Sequence, residues 1–486
     1  MKVTFNRLYF LKPDEGRALI MSAQNGRDDL MPIDETFETI IHPLFAMIFS
    51  FCDGREVNAI VNDVSALLHT KADKVRKFIE QLTDNKSFIQ IKHPVGLSTF
   101  PPYTLCSCDS STVASPRFSW KQYTYSSVDL RQKRHYTPSS ITLMVNNVCY
   151  TNCYYCYVDK RIKKHCSLSF NNIKKIITEA RSLNVRSFDV IGGEFFLYDH
   201  WFELLEELYK NGFNPYISTK IPIDDSIISK LVSLKVPDIQ ISLDSLIDNH
   251  LKQSLSVGSF YIQAISNSIK KLSESGIKIY IHTVLSQKTE TVDDLHSIYD
   301  LIRDLHNIAE WKIDKAGKSL YTKENYCNIE VHKNSYAKIY KYINKLKYSA
   351  KFPIRLPRPS VPTQLPMNNG DFFERGLCSG NYNSLFILPD GNVTMCEELY
   401  WNKKFLLGNV QENTLLEIWN SEKAHSLFYI PQEAFPDDSF CSKCPDFDRC
   451  RSVRQVCYKE IIKQYGSDKW YYPDVNCPKK YCKQCE

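Results

Sequence analysis

The sequence lacks the long apolar segments of membrane proteins. No stretch of its 486 residues approaches the ~20 consecutive apolar residues that span a bilayer. The N-terminus, MKVTFNRLYFLKPDEG, has neither the apolar core nor the small-residue cleavage site of a secretory signal. These absences predict a soluble, cytoplasmic protein with no membrane partner.

The sequence also lacks internal repeats, low-complexity tracts and a strong charge of one sign. Lys and Arg number 61 against 55 for Asp and Glu, and both signs are interspersed along the chain. Because a net charge of +6 is modest for this length, a nucleic-acid partner is not expected. The length suggests roughly three domains.

Cysteine is unusually abundant, with 17 residues in the chain. In a long chain without an export signal, clustered thiols hold metal more often than they form disulfides. Nine of the 17 lie between Cys378 and Cys485. The composition therefore predicts a metal-rich C-terminal domain over residues 371–486.

Residues 1–95 are predicted to form a compact helical unit. The strand-like segment VTFNRLYFL is followed by three helical patterns, DETFETIIHPLFAMIFSFCDG, REVNAIVNDVSALL and KADKVRKFIEQLTDN. A candidate β wing, KSFIQIKH, comes next, and short helices followed by a wing form a winged-helix unit. The Ser-, Thr- and Pro-rich composition of residues 96–137 is typical of a linker.

Residues 138–330 alternate between strand and helix patterns. The predicted strands are ITLMV, SFDVIGGE, PYISTK, DIQISLDS and KIYIHTVLS. Helical patterns of about ten to fifteen residues separate them, which indicates parallel βαβ units. We predict an α/β fold with a partial (β/α)6 TIM-like barrel, joined by a bridging region (331–370) to the C-terminal domain. Polar motifs recur at the strand ends, where α/β barrels place their active sites.

The loop after the first of these strands contains Cys149, Cys153 and Cys156 among four tyrosines. Three thiolates on a [4Fe-4S] cluster leave one iron without a protein ligand. A zinc site usually uses cysteine pairs and four ligands, so zinc fits this loop less well, and buried free thiols are the remaining alternative.

The spacing and position of these cysteines resemble the radical S-adenosylmethionine (SAM) superfamily. The resemblance implies that the free iron binds SAM, which is cleaved to a 5′-deoxyadenosyl radical. It also implies roles in SAM binding for other residues at the rim of the barrel. These are Tyr155 beside the adenine, Gly192, Gly193 and Glu194 at the SAM ammonium, and Ser218, Thr219, Ser242 and Asp244 at the ribose and carboxylate. An ordinary turn or strand cap is the alternative for each of these polar groups.

One arginine of the radical SAM superfamily has no arginine counterpart in this sequence. Many relatives have an arginine after the fourth strand that pairs with the SAM carboxylate. Here Ser254 occupies that position, and Lys252 is a nearby substitute.

The C-terminal cysteines resemble the SPASM extension of radical enzymes that modify peptides and proteins. Cys378, Gly391 and Cys396 match its opening, although Arg454 stands where that family has another cysteine. The resemblance implies two auxiliary [4Fe-4S] clusters. One would take Cys441, Cys444, Cys450 and Cys477, and the other Cys378, Cys396 and Cys457.

The second of these clusters is one thiolate short. Either Cys482 or Cys485 completes it, or an iron is open to a substrate thiol. A zinc ribbon remains the alternative for the whole region, because Cys-x2-Cys pairs also bind zinc. The other thiols, Cys52, Cys106, Cys108, Cys166 and Cys327, fit no pattern and are expected to be packing or incidental thiols.

The segment HPLFAMIFSFCDGREVNAIVNDV resembles the winged-helix protein of pyrroloquinoline quinone biosynthesis and related precursor-recognition domains. The resemblance implies that a leader peptide adds a strand to a sheet edge. Winged helices also bind DNA, but no helix here carries a dense Lys and Arg face.

Together these resemblances imply a radical SAM enzyme that modifies a ribosomal precursor peptide, with a thioether as the expected product. Carbon-carbon cross-linking and epimerisation remain open. A reducing electron donor such as flavodoxin or ferredoxin is the second expected partner. The alternatives are formylglycine formation, as in anaerobic sulfatase maturation, and a zinc-binding winged-helix regulator. No catalytic side chain is assigned from the sequence.

Overall fold

The computed structural model describes residues 1–24, 37–109, 119–158, 165–321, 329–358, 369–451 and 453–479. Cys327, Cys482 and Cys485 therefore lie outside the described residues. The chain divides into two compact units. The first comprises Met1–Ser140, Glu179–Phe188 and Gly212–Asn214, and the second comprises Ile141–Thr178, Asp189–Asn211 and Pro215–Glu486.

The N-terminal part of the first unit contains three small antiparallel sheets and three helices. The elements in chain order are β1 (Lys2–Phe5), β2 (Tyr9–Asp14), β3 (Arg17–Ser22), β4 (Glu38–Ile41), α1 (Pro43–Phe49), β5 (Asp53–Glu56), α2 (Val57–Leu68), α3 (Ala72–Leu82), β6 (Ile89–His93), β7 (Gly96–Phe100) and β8 (Leu105–Cys108). The sheet orders are β5-β1-β8, β2-β3-β4 and β6-β7. The apolar faces of α1, α2 and α3 pack into one core that includes Phe49, Ile60 and Ile79.

The first predicted helix is wrong over its N-terminal half. Within the described residues of DETFETIIHPLFAMIFSFCDG, Glu38–Ile41 form strand β4 and only Pro43–Phe49 form a helix. Proline is well tolerated at the first helical turn but biases the residue before it towards extended backbone. His42 accordingly has φ −62 and ψ 135. The β-branched residues before it pair with β3, with Ile41 opposite Ala18.

Other N-terminal predictions agree better with the structure. The two further helices are present as α2 and α3, and the predicted wing is a hairpin of β6 and β7 with Ile89 opposite Phe100. Strands β7 and β8 lie in the range assigned to a linker, and β8 pairs with β1 along Lys2–Phe5. The N-terminal sheets therefore continue into that range.

The strand and helix alternation of the barrel region is confirmed. Its elements are β9 (Ser140–Met144), α4 (Phe170–Ser182), β10 (Ser187–Ile191), α5 (Trp201–Lys210), β11 (Ser218–Thr219), α6 (Asp225–Ser233), β12 (Asp238–Ser242), α7 (Asp248–Leu255), α8 (Phe260–Ser275), β13 (Lys278–Leu285), α9 (Val292–Ile302), β14 (Ile308–Lys315), α10 (Lys333–Leu346), β15 (Ile354–Arg355) and α11 (Asn369–Phe373). Strands β11 to β15 pair in parallel and in sequence order, as successive βαβ units require.

The C-terminal region is built from short elements. These are β16 (Ser384–Ile387), β17 (Asn392–Thr394), β18 (Leu406–Asn409), α12 (Leu415–Trp419), α13 (Glu422–Phe428), α14 (Phe447–Arg451) and α15 (Tyr458–Tyr465). The sheet order β10-β9-β16-β17-β18 joins them to the first two barrel strands. None of the helices in the described ranges combines the length and the apolarity needed to cross a bilayer.

Candidate functional site

A cavity of about 730 Å³ lies within the second unit, at the carboxyl ends of strands β10 to β14. Its volume lies in the range typical of small-molecule sites. Many of the sequence-predicted residues line it, namely Cys149, Cys153, Tyr155, Cys156, Gly192, Gly193, Glu194, Ser218, Thr219 and Ser242. Folding thus brings the cysteine loop and the polar strand ends to one place.

The backbone at Gly193 lies very close to the cysteine loop. A Cβ on Gly193 would lie 2.1 Å from the carbonyl oxygen of Val148 and 2.8 Å from Cys149 Sγ. The Gly193 N–H donates to the carbonyl of Asn146 at 2.8 Å, which holds the two strand ends together. Only glycine leaves room for the cysteine loop here, so the Gly-Gly-Glu element has a direct steric role.

Glu194 is buried and its carboxylate is well hydrogen-bonded. The Thr219 hydroxyl donates to Oε1 at 2.7 Å, and the Lys220 N–H donates to Oε2 at 3.0 Å. Burial raises the pKa of Glu194, and these hydrogen bonds oppose the shift. A cationic group placed beside this carboxylate would favour its charged form further.

Asp244 does not line the cavity itself, but it hydrogen-bonds to Tyr155 and Lys220, which do. It is fully buried, its Oδ1 accepts the Val284 N–H at 3.0 Å, and its Oδ2 accepts the Tyr155 hydroxyl. Lys220 Nζ completes this group, at 2.9 Å from Asp244 Oδ2 and 2.7 Å from Tyr155 Oη. The Asp244 and Lys220 side chains thus hold the Tyr155 hydroxyl in place, within the loop that carries Cys153 and Cys156.

Lys220 is a cation of this cavity that the sequence analysis did not single out. Burial is the largest influence on its pKa and lowers it, but the Asp244 carboxylate together with Cys153 and Cys156 leaves the pKa above its usual value. Lys252, which the sequence analysis offered in place of the arginine at the SAM carboxylate, pairs with Asp248 at 2.5 Å on the exposed side of α7. The place of Lys220 in the sequence could have indicated that it lies at the site, because it directly follows strand β11, which consists of Ser218 and Thr219.

Helix α7 anchors the cysteine loop through its last carbonyl groups. The Tyr154 N–H donates to the Ser254 carbonyl at 3.0 Å, and the Asn152 N–H donates to the Leu255 carbonyl at 2.8 Å. Ser254 therefore supports the loop through its backbone. Since carbonyl groups at a helix C-terminus lack partners in their own helix, the loop also satisfies the end of α7.

In the C-terminal region, Cys441, Cys444, Cys450 and Cys477 lie around one small cavity. Burial raises the pKa of Cys477 to about 11, and the three neighbouring thiols add to that shift. Gln432 Nε2 donates to the carbonyls of Cys441 at 3.0 Å and Cys444 at 2.9 Å, which holds the Cys-x2-Cys turn.

Two arginines make this thiol group suited to an anionic cluster. Arg451 Nη2 lies 3.6 Å from Cys441 Sγ, and Arg375 Nη2 lies 3.5 Å from Cys450 Sγ. Arg451 Nε and Nη1 are buried and have no hydrogen-bond partner among the described residues. Four thiolates on a [4Fe-4S] cluster would supply the missing negative charge, so the donor set fits such a cluster.

Cys378, Cys396 and Cys457 form the second thiol group. Cys378 influences the pKa of both Cys396 and Cys457, and burial raises the pKa of Cys396 to about 12. Arg454, where another cysteine was expected, pairs with Glu374 at 3.0 Å. Cys482 and Cys485, the candidates for a fourth ligand, lie outside the described residues.

The two kinds of thiol predict different effects of substitution. We expect Cys441→Ser to remove about four irons per chain from anaerobically reconstituted protein, the content of one [4Fe-4S] cluster. The matched control is Cys106→Ser, a half-buried thiol whose Sγ donates to the Tyr103 carbonyl at 3.8 Å. Iron and sulfide analysis measures both variants, and equal iron in the two would contradict the assignment.

Comparisons with known proteins find two families in these regions of the chain. Residues 143–302 match the radical SAM superfamily, and residues 378–445 match the SPASM iron-sulfur cluster-binding domain. The antilisterial bacteriocin subtilosin biosynthesis protein AlbA of Bacillus subtilis is 22% identical over 347 residues, which cover 70% of each chain.

Solved structures show the same fold over nearly the whole chain. Streptococcus suis SuiB bound to S-adenosylmethionine matches with a TM-score of 0.61 at 14% identity, covering 98% of this chain and 99% of that one. SuiB bound to its precursor peptide SuiA matches with a TM-score of 0.63 at the same identity and coverage.

Proposed function

We propose that this chain, which carries a radical SAM domain and a SPASM domain, joins a cysteine sulfur to a carbon atom in a ribosomal precursor peptide. The observation that carries the proposal is the convergence of Cys149, Cys153 and Cys156 with Gly193 and Glu194 on one cavity. The relative named for subtilosin biosynthesis and the SuiB complex with a precursor peptide support a peptide substrate.

The residues at the barrel rim have distinct proposed roles. Cys149, Cys153 and Cys156 would hold a [4Fe-4S] cluster, and the Glu194 carboxylate would receive the SAM ammonium. The absence of a side chain at Gly193 leaves the space in which the cysteine loop lies against this strand end. When bound, this cofactor pair supplies a 5′-deoxyadenosyl radical that removes a hydrogen atom from a peptide carbon.

The other modules supply the partners. Cys441, Cys444, Cys450 and Cys477 would hold one auxiliary cluster, and Cys378, Cys396 and Cys457 would hold another. Residues 1–95 would bind the leader peptide, which raises the local concentration of the core peptide. Flavodoxin or ferredoxin would provide electrons, and the cytoplasm keeps the thiols reduced.

Product analysis tests this function. The protein is reconstituted anaerobically and supplied with SAM, dithionite and a cysteine-containing precursor encoded beside its gene. We expect 5′-deoxyadenosine and a peptide that has lost two hydrogens and one alkylatable thiol per cross-link. Loss of hydrogens with every thiol still alkylatable would instead show a carbon-carbon bond, and a colourless protein that contains zinc would support the regulator.

A further inference from the structure

The inner face of the barrel is polar where strands β12, β13 and β14 meet. Side chains alternate along a strand, and on β13 the buried residues Ile279, Ile281, Thr283 and Leu285 alternate with the partly exposed Tyr280, His282 and Val284. Ser242 at the end of β12 stands beside His282 in the parallel register. This face therefore brings His282 into the cavity.

His282 forms a pair with Asp314, which also lines the cavity. Its Nε2 lies 3.0 Å from Asp314 Oδ2, and the two side chains are 22% and 36% exposed. The hydrogen bond from His282, together with Lys312 at 2.9 Å, lowers the pKa of Asp314 to about 2 against the effect of burial. The carboxylate is thus ionised at neutral pH.

An ionised carboxylate selects one tautomer of the imidazole. Because Asp314 can only accept, His282 Nε2 carries the hydrogen, and the lone pair resides on Nδ1. No residue of the described chain hydrogen-bonds to Nδ1. The arrangement of an orienting carboxylate and a free imidazole nitrogen is that of a general base.

We propose that His282 accepts the proton of the substrate cysteine thiol, with Asp314 as its positioning residue. This step rests on the proposed function and accounts for every atom and electron of the cross-linking reaction. The peptide carbon loses a hydrogen atom to the deoxyadenosyl radical, the sulfur loses its proton to His282, and the carbon-sulfur bond forms. One electron remains, and it passes to a one-electron acceptor of the iron-sulfur class.

The test separates hydrogen removal from bond formation. We expect His282→Gln to release 5′-deoxyadenosine at close to the unaltered rate while cross-linked peptide falls about 100-fold, within the usual range for loss of a general base. Asp314→Asn should cause a smaller loss of the same kind. His296→Gln is the matched control, because His296 pairs with Asp300 at 3.3 Å on the surface of α9, outside the cavity.

Chemical rescue adds a second measurement. His282→Ala should regain cross-linking when imidazole is added, which a purely structural role would not allow. Unchanged cross-linking in His282→Gln would overturn the proposal. So would a parallel loss of deoxyadenosine and product without imidazole rescue. Failure of the proposed function is distinct, since the unaltered protein would then yield no deoxyadenosine or no cross-link.

Discussion

Gly193→Ala is expected to abolish most SAM cleavage, with a fall of about 100-fold in deoxyadenosine release, the order that a 1 Å misplacement of reacting groups costs. The added methyl group would meet the Val148 carbonyl at 2.1 Å, far inside van der Waals contact. Backbone cannot swing aside as a long side chain can. The cysteine loop must therefore shift, and Cys149 shifts with it.

Two other glycines that line the same cavity provide matched controls. A Cβ on Gly192 would lie 3.2 Å from Asn146 Oδ1, so Gly192→Ala requires a shift of a few tenths of an ångström and should cost only a few-fold. Gly317 lines the same cavity, and a Cβ there meets nothing within 4 Å. Gly317→Ala should retain the unaltered rate. Deoxyadenosine release and iron content measure all three, and a different order among them would refute the steric argument.

Lys220→Met is expected to lower the free energy of unfolding by about 3 kcal/mol, as removal of one partner from a buried ion pair does. The Asp244 side chain is fully buried, and Lys220 is its cation. Without Lys220 the carboxylate remains buried and uncompensated. Because the Asp244 and Lys220 side chains both hold Tyr155, we also expect weaker SAM binding at the cysteine loop.

A double variant distinguishes the lost charge pair from lost packing. Lys220→Met combined with Asp244→Asn removes both charges, so it should regain part of the lost stability. Lys252→Met is the control, because its exposed pair with Asp248 should contribute less than about 1 kcal/mol. Anaerobic denaturant unfolding measures the series. Equal losses from Lys220→Met and Lys252→Met would exclude a special role for the buried pair.

Local patterns made much of the candidate site predictable. Cys149, Cys153 and Cys156 occur within eight residues, so their spacing alone restricts how they can bind metal. Hydrophobic periodicity likewise located most barrel strands and helices. It was wrong before Pro43, where strand pairing with β3 outweighed a helical pattern. It also missed α7, a short and mostly polar helix.

The sequence by itself determined the chemistry available: a three-thiol loop, a Gly-Gly-Glu strand end and a cysteine-rich tail. Only the tertiary structure decided that Lys220 neutralises Asp244, that Lys252 pairs with Asp248, and that His282 on β13 meets Asp314 on the adjacent strand β14. The physical reason is that a charge or hydrogen-bond partner acts over a few ångströms in a buried site. Such proximity depends on strand register and burial, which residues 24 or 32 positions apart do not reveal in sequence.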